Sequence, residues 1–89
     1  MTAGSLREKT VLVTGAGSGI GRATAIACAA AGAAVAVSDV DESGARITVE
    51  QIAKAGGQAW SQRADVTRAQ DVEHLIEQTV QRFGRLDIA

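Results

Sequence analysis

The sequence predicts an α/β fold in which helices wind around both faces of a parallel sheet. Short apolar segments recur along the chain, segments with helical periodicity follow them, and glycines stand at the junctions. Continuous apolar segments of this length are typical of strands buried on both faces of a sheet. Strands that alternate with helices form parallel sheets connected by right-handed crossovers.

The first strand begins at Thr10 and carries three successive apolar residues, at 11–13. Four glycines follow within eight positions, at 15, 17, 19 and 21. Glycine lets the backbone turn sharply and approach a ligand closely. The helix after such a turn offers unpaired N–H groups and the positive end of its dipole, so the segment is suited to binding a diphosphate through backbone atoms.

An alanine-rich helix is predicted over 20–31, with Gly32 as its end, and a second buried strand over 33–39. Asp41 is a suitable N-cap for a second helix over 42–55. Four apolar residues fall on one face of that helix: Ala45, Val49, Ile52 and Ala53.

The third strand is predicted over 58–66 and is less apolar than the first two, as an edge position allows. Residues 67–70 fit a capping box with Thr67 as N-cap, and the helix that follows ends at Gly84. Burial of its apolar face would contribute on the order of 10 kcal/mol gross if a sheet lies beneath it. That face consists of Val72, Leu75, Ile76, Val80 and Phe83. A fourth strand starts at 86–89.

We expect the strand order third, second, first, fourth, which is a Rossmann-like doubly wound parallel sheet, first half only (β-α-β-α-β-α-β stub). Residues 1–9 form a flexible leader in this interpretation, and 10–89 the N-terminal half of a cofactor-binding domain that we expect to be truncated. The edge of the first strand and the 72–83 helix would then be poorly covered. We therefore expect the isolated chain to be marginally stable or partly molten.

Composition narrows the classes of function. Nine basic and ten acidic side chains give a net charge of −1 without a basic block, so neither nucleic acid nor an anionic membrane is an expected partner. No apolar segment reaches the length of a membrane span and no export signal precedes the first strand, so a cytoplasmic location is expected. Cys28 is interpreted as a small buried hydrophobe, and His74, Glu73 and Glu77 as a solvated helix face, so no metal site is predicted.

The spacing of the glycines is more informative than their number. The common G-x-G-x-x-G fingerprint fails in every frame, and the chain instead reads T-G-x-x-x-G-x-G from Thr14. This spacing closely resembles the cofactor loop of the short-chain dehydrogenase/reductase family. The resemblance implies that glycines shape a diphosphate loop and that two further side chains contact the cofactor within it: Gly15, Gly19 and Gly21, with Ser18 and Ile20.

Two acids follow the loop where strands end. Asp39 lies 18 residues after Gly21, where an acid accepts hydrogen bonds from the adenosine ribose. A carboxylate there repels a 2′-phosphate, so NAD is expected in preference to NADP. Arg22 is the nearest basic residue that could offset this repulsion. The resemblance implies that Asp65 and Val66 frame adenine. Structurally, either acid could simply end its strand.

The family's catalytic residues have no counterpart within the chain. The resemblance implies that an Asn-Asn-Ala-Gly segment, a catalytic Ser and a Tyr-x-x-x-Lys pair should follow the fourth strand. The chain contains no tyrosine, and its two lysines, Lys9 and Lys54, precede the first strand and lie in a predicted helix. No catalytic residue is therefore predicted, and the 89-residue chain alone is expected to be inactive.

Three hypotheses follow. The first is the N-terminal part of an NAD-dependent oxidoreductase of an alcohol or carbonyl substrate, a homo-oligomer at full length. The second is a stand-alone dinucleotide-binding module without chemistry. The third is half of an S-adenosylmethionine-binding methyltransferase, because residues 15–19 also fit G-x-G-x-G. That fold usually carries an acid just before the first glycine, where this chain has Val13 and Thr14.

Overall fold

The computed structural model describes residues 6–87, and within them three strands alternate with three helices. The elements are β1 (Thr10–Val13), α1 (Gly19–Ala30), β2 (Ala34–Asp39), α2 (Glu42–Lys54), β3 (Gln58–Arg63) and α3 (Ala69–Phe83). The strands form one parallel sheet in the order β1-β2-β3, with β2 in the centre. The doubly wound parallel sheet predicted from the sequence is confirmed.

The register of the sheet brings the ends of the strands to one edge. Thr10 of β1 is aligned with Ala34 of β2, which is aligned with Gln58 of β3. Because all three strands run in the same direction, the loops that follow them emerge side by side at the carboxyl edge. Ligands of open α/β sheets bind at that edge.

Two apolar clusters cover opposite faces of the sheet. One lies under α1 and α2 and includes Val35 and Val37 of β2 together with Ile52 of α2. The other lies under α3 and is built around Leu12, Ala36 and Leu75. The clusters alternate along β2 because successive strand residues face opposite sides of a sheet. The third helix therefore lies on the opposite face of the sheet from the first two.

The start of α3 differs from the prediction. The prediction of a capping box with Thr67 as N-cap is wrong. The helix begins at Ala69 after Arg68, and no side chain caps it. The Thr67 hydroxyl instead donates a hydrogen bond to Asp65. The third strand, β3, is also shorter than predicted. It ends at Arg63, and residues 64–66 already lead into the helix.

Two predicted apolar faces are buried only in part. Ala53 of α2 is exposed, and Thr48 takes the buried position on that helix. On α3, Leu75 is buried, while Ile76 and Val80 are 38% and 40% exposed. Sequence periodicity identified the inward side of each helix but overestimated the width of its covered stripe.

Both ends of the described chain contact β1 or its surroundings. The first five residues of the expected leader lie outside the described residues, whereas Leu6 packs against the core and its N–H donates to Ala31 O at 2.8 Å. Near the other end, the Asp87 N–H donates to Thr10 O, and the Thr10 N–H donates to the Asp87 carboxylate. The expected fourth strand continues into Ile88 and Ala89, which also lie outside the described residues.

Candidate functional site

Three chain segments meet at the carboxyl edge of the sheet: the glycine loop after β1, the end of β2, and the turn after β3. A cavity of about 270 Å³ lies between them. Its lining consists of Gly15, Asp39, Val40, Ala64, Asp65, Val66 and Thr67. Four of the predicted cofactor-binding residues therefore lie around one cavity.

The glycine loop has a backbone that other residues would not adopt easily. Gly15 and Gly19 have positive φ angles of 63° and 55°, a region that costs L-residues steric energy. A Cβ atom on Gly21 would lie only 2.0 Å from the carbonyl oxygen of Gly15. The first turn of α1 therefore packs directly on the start of the loop, and only glycine fits there.

The N-terminal end of α1 carries no side-chain cap. Ser18 occupies the N-cap position with an extended backbone, but its side chain makes no capping hydrogen bond, and the first turn holds no acid. In α2, by contrast, the Asp41 side chain accepts from Gly44 N. The exposed end of α1, with Ile20 at 87% exposure beside it, suits an anion because the first-turn N–H groups of a helix need an acceptor.

Asp39 is half-buried at the end of β2 and is held by backbone donors on both oxygens. Its Oδ2 accepts from Gly17 N at 2.9 Å, and its Oδ1 accepts from Asp41 N at 3.0 Å. The carboxylate thus stands at the cavity in a defined orientation. Each oxygen retains capacity for another donor, since a carboxylate accepts about four hydrogen bonds.

Arg22 is the basic residue whose charge could have offset that of Asp39, but its side chain bonds elsewhere. Its Nε donates to Thr48 Oγ1 at 2.9 Å, and its Nη2 donates to the carbonyl oxygens of Gly17 and Gly44. Arg22 is half-buried and does not line the cavity. Its guanidinium joins α1, the glycine loop and α2.

Asp65 and Val66 lie in the turn after β3. The Asp65 Oδ1 accepts from the hydroxyl of Thr67 at 2.6 Å and from its N–H at 3.0 Å. The hydroxyl contact is the main cause of a lowered Asp65 pKa, so this carboxylate is ionised at neutral pH. Val66 and Val40 are each 53% exposed and give the cavity an apolar rim.

Sequence reasoning missed several contributors to this site, of which three matter most. Gly17 donates to Asp39, Val40 lines the cavity, and Thr48 anchors Arg22. Gly17 could have been found as the fourth glycine of the loop that the family pattern leaves unassigned. Thr48 is a polar residue on the apolar stripe of α2, between Ala45 and Ile52. A polar residue in that position needs a buried partner.

The remaining chemically interesting side chains lie away from the cavity. His74, Glu73 and Glu77 are exposed on α3, and Cys28 is half-buried against the core. Within residues 6–87, no group of three potential metal ligands occurs. No helix in that part of the chain is both long and apolar enough to cross a membrane.

The donors and acceptors at the edge match the parts of a dinucleotide. The uncapped end of α1 offers N–H groups to a diphosphate, Asp39 offers acceptors to ribose hydroxyls, and the Val40 and Val66 rim offers apolar contact to a base. These three environments follow one another along the carboxyl edge. The residues present therefore fit this cofactor class.

Known proteins share this architecture. An uncharacterized oxidoreductase of Thermotoga maritima is 49% identical over 80 residues, which are 90% of this chain and 31% of that protein. The crystal structure of a hydroxysteroid dehydrogenase from Escherichia coli superimposes with a TM-score of 0.92 at 41% identity, over 93% of this chain and 35% of that one. A short chain dehydrogenase from Mycobacterium smegmatis gives a TM-score of 0.91 at 41% identity, over 99% of this chain and 38% of that one.

The chain thus spans about a third of the length of these relatives. A family model described as short chain dehydrogenase matches residues 9–89, which is nearly the whole chain. This match and the fold agree with the glycine pattern from Thr14 to Gly21. The chain therefore belongs to the short chain dehydrogenase family of oxidoreductases.

Proposed function

We propose that residues 10–89 form the adenosine- and diphosphate-binding half of an NAD-dependent oxidoreductase that acts on an alcohol or carbonyl substrate. The observation that carries this proposal is the position of the Asp39 carboxylate. It lines the cavity at the carboxyl edge, bonded to Gly17 N in the loop that leads into the uncapped end of α1. A ribose acceptor and a diphosphate donor set are thereby adjacent.

Each predicted site residue has a role in this proposal. Three glycines give the diphosphate loop its shape, Ser18 and Ile20 contact the cofactor beside it, Asp39 binds the ribose, and Asp65 with Val66 frames adenine; the glycines are Gly15, Gly19 and Gly21. The ionised Asp65 can accept a hydrogen bond from an exocyclic amine. A bound nicotinamide dinucleotide supplies the hydride acceptor or donor of such a reaction.

The preference for NAD over NADP is supported by two contacts. Asp39 presents negative charge where a 2′-phosphate would lie, and like charges a few ångströms apart repel. Arg22 is committed to Thr48, Gly17 and Gly44 and so does not offer its charge to that phosphate.

The reaction itself is proposed for the whole protein. The 89 residues contain no tyrosine, so the family's Tyr-x-x-x-Lys pair has no counterpart here, and no residue of the chain is assigned a catalytic role. An alcohol or carbonyl substrate is consistent with a relative in Escherichia coli that carries the name 7alpha-hydroxysteroid dehydrogenase, 41% identical over 90% of this chain. A homo-oligomer and a cytoplasmic location remain predictions.

Competition binding tests the proposal against the methyltransferase alternative. Calorimetric titration of the chain with NAD, NADP and S-adenosylmethionine should give the tightest binding for NAD and none for S-adenosylmethionine. Binding of S-adenosylmethionine that NAD does not displace would contradict the oxidoreductase assignment.

A second measurement separates the oxidoreductase from a stand-alone binding module. An antibody against this segment would report the mass of the native protein in its source cells. A species about two to three times larger than 9.1 kDa, still within the range of one domain, is the expected result. A native species of 9.1 kDa would instead favour a module that binds the nucleotide without turning it over.

A further inference from the structure

We infer that Thr48 and Arg22 are positioning residues that hold the glycine loop in the shape that receives the diphosphate. They contact the loop from α2 and α1 and lie outside the cavity. The inference rests on the proposed function. It adds that a neighbouring helix, α2, supports the cofactor loop.

Thr48 lies in the middle of α2 and is fully buried. Its Oγ1 donates to the carbonyl oxygen of Ala16 at 2.6 Å and accepts from Arg22 Nε at 2.9 Å. A threonine hydroxyl has a single proton. Gly44 O, one turn earlier in α2, lies 3.2 Å from Oγ1, and the shorter contact to Ala16 O takes the proton. One buried hydroxyl therefore connects the loop to both helices.

Arg22 extends this contact to the next peptide of the loop. Its Nη2 donates to Gly17 O and also lies 3.2 Å from Gly44 O. The planar guanidinium serves three acceptors on two segments, the glycine loop and α2, a geometry that the single ammonium of lysine does not reproduce. The carbonyl of Gly17 is thus held by Arg22, while its N–H is held by Asp39.

The backbone of α2 also packs closely against the glycine loop. A Cβ atom on Gly44 would lie 2.6 Å from Gly17 O, and one on Gly17 would lie 3.1 Å from Ala45 N. The absence of side chains at Gly17 and Gly44 allows Arg22 and Thr48 to reach the loop carbonyls. Gly17 of the loop thus lies directly against Gly44 of α2, the helix that supports the loop.

These contacts have a consequence for anion binding. The carbonyl oxygens of Ala16 and Gly17 carry partial negative charge next to the place where a diphosphate would bind. Donors from Thr48 and Arg22 satisfy them and fix their direction. A loop that is ordered before binding loses less conformational entropy when the ligand arrives, which raises affinity.

The variant Thr48→Val tests the inference, because valine preserves the shape and removes the hydroxyl. We expect NAD to bind about tenfold more weakly, while adenosine, which lacks the diphosphate, binds within about twofold of the unmutated chain. Thr48→Ser should restore NAD affinity because it restores the hydroxyl. Arg22→Lys should behave like Thr48→Val. Affinities would be measured by calorimetry alongside the thermal midpoint of each variant.

Thr79→Val is the matched control. Thr79 is equally buried, its hydroxyl donates to Leu75 O at 2.8 Å, and it lies on α3 across the sheet. It should change the thermal midpoint without changing NAD affinity. An equal loss of NAD affinity in Thr79→Val and Thr48→Val would show that only general stability matters and would overturn the inference.

Amide hydrogen exchange without nucleotide tests the contact independently. Ala16 N donates to Ser38 O, and Gly17 N donates to Asp39. Both amides should exchange about tenfold faster in Thr48→Val and at an unchanged rate in Thr79→Val. Unchanged exchange in Thr48→Val would overturn the inference. Failure of the unmutated chain to bind NAD would instead contradict the proposed function, and the exchange rates would still decide whether Thr48 and Arg22 hold the loop.

Discussion

The carboxylate of Asp39 accepts a hydrogen bond from the backbone N–H of Gly17, with 2.9 Å between Oδ2 and N. This contact joins the end of β2 to the loop after β1. The acid proposed to bind the ribose therefore also contacts the loop proposed to bind the diphosphate. Two segments that the sequence singles out separately are thus joined directly in the structure.

Replacement of Asp39 by alanine should weaken NAD binding more than NADP binding. The variant loses a charged acceptor, and hydrogen bonds to charged groups contribute about 1.5–3 kcal/mol, which corresponds to roughly 10- to 150-fold in affinity. NADP loses less because the repulsion of its 2′-phosphate disappears at the same time. Calorimetric titrations of both nucleotides check this. Glu42→Ala, which removes a nearby exposed acid, should leave both affinities unchanged. Tighter binding of NADP than NAD to the unmutated chain would contradict the argument.

Gly21→Ala should disrupt the loop, because the new Cβ would lie 2.0 Å from Gly15 O and a backbone carbonyl must move. Overpacking of this kind costs about 1–3 kcal/mol of stability, and we expect NAD affinity to fall at least about tenfold with it.

Gly56→Ala is the control for Gly21→Ala. Gly56 has a φ of 86° and open space around it in the turn after α2, so alanine there costs about 1–2 kcal/mol through backbone strain alone. Its NAD affinity should not change. Normal NAD binding by Gly21→Ala would contradict the proposed loop.

The sequence predicted the parts of the fold that depend on local chemistry. β1 and β2 follow from apolar segments, and the cap of α2 follows from Asp41, whose side chain accepts from Gly44 N. The start of α3 could not be predicted in the same way. Thr67 had two possible partners, the helix N-terminus and Asp65, and the turn after β3 brings it to Asp65. Two local hydrogen-bonding patterns of similar strength compete there, and tertiary position decides between them.

The candidate site was predictable where the residues carry the pattern themselves. Gly15, Gly19 and Gly21 have steric reasons to be glycine that can be read from their spacing. The contacts of Arg22 and Thr48 join positions 26 residues apart, and no local periodicity encodes such a contact. Only the packing of α2 against the loop reveals them.

Leu75→Ala should destabilise the chain far more than Ile76→Ala. Leu75 is 1% exposed within the cluster under α3, whereas its neighbour Ile76 is 38% exposed. Truncation of a buried leucine costs about 2–5 kcal/mol, since a cavity remains. Ile76 keeps more than a third of its surface in contact with water, so its removal should cost less, about 1 kcal/mol. Urea unfolding of the two variants gives both values. Equal destabilisation would mean that α3 packs differently against the sheet.

The stability of the chain should fall in acid because three aspartates have lowered pKa values in the folded state. The Ser43 hydroxyl lowers the pKa of Asp41, the Thr67 hydroxyl that of Asp65, and the Arg85 side chain together with the Thr10 N–H that of Asp87, each below the ordinary value of 3.8. The unfolded chain then binds more protons than the folded chain as the pH approaches 3.8 from above. The stabilisation is complete above that pH and is lost as the pH falls through the lower folded values.

Asp87→Asn isolates one of these contributions. The amide oxygen can still accept from Thr10 N, but the side chain no longer titrates and no longer pairs with Arg85, which lies 2.6 Å away. We expect a lower free energy of unfolding at neutral pH and a shallower decline toward acid than in the unmutated chain. Urea unfolding over a series of pH values measures both. Glu50→Gln, which removes an exposed carboxylate on α2, is the charge-matched control. If Asp87→Asn and Glu50→Gln gave the same pH profile, the bonds from Arg85 and Thr10 would contribute nothing specific to stability. The anchoring of 85–87 beside β1 would then have to rest on the Asp87 N–H and on Leu86, which packs against the cluster under α3.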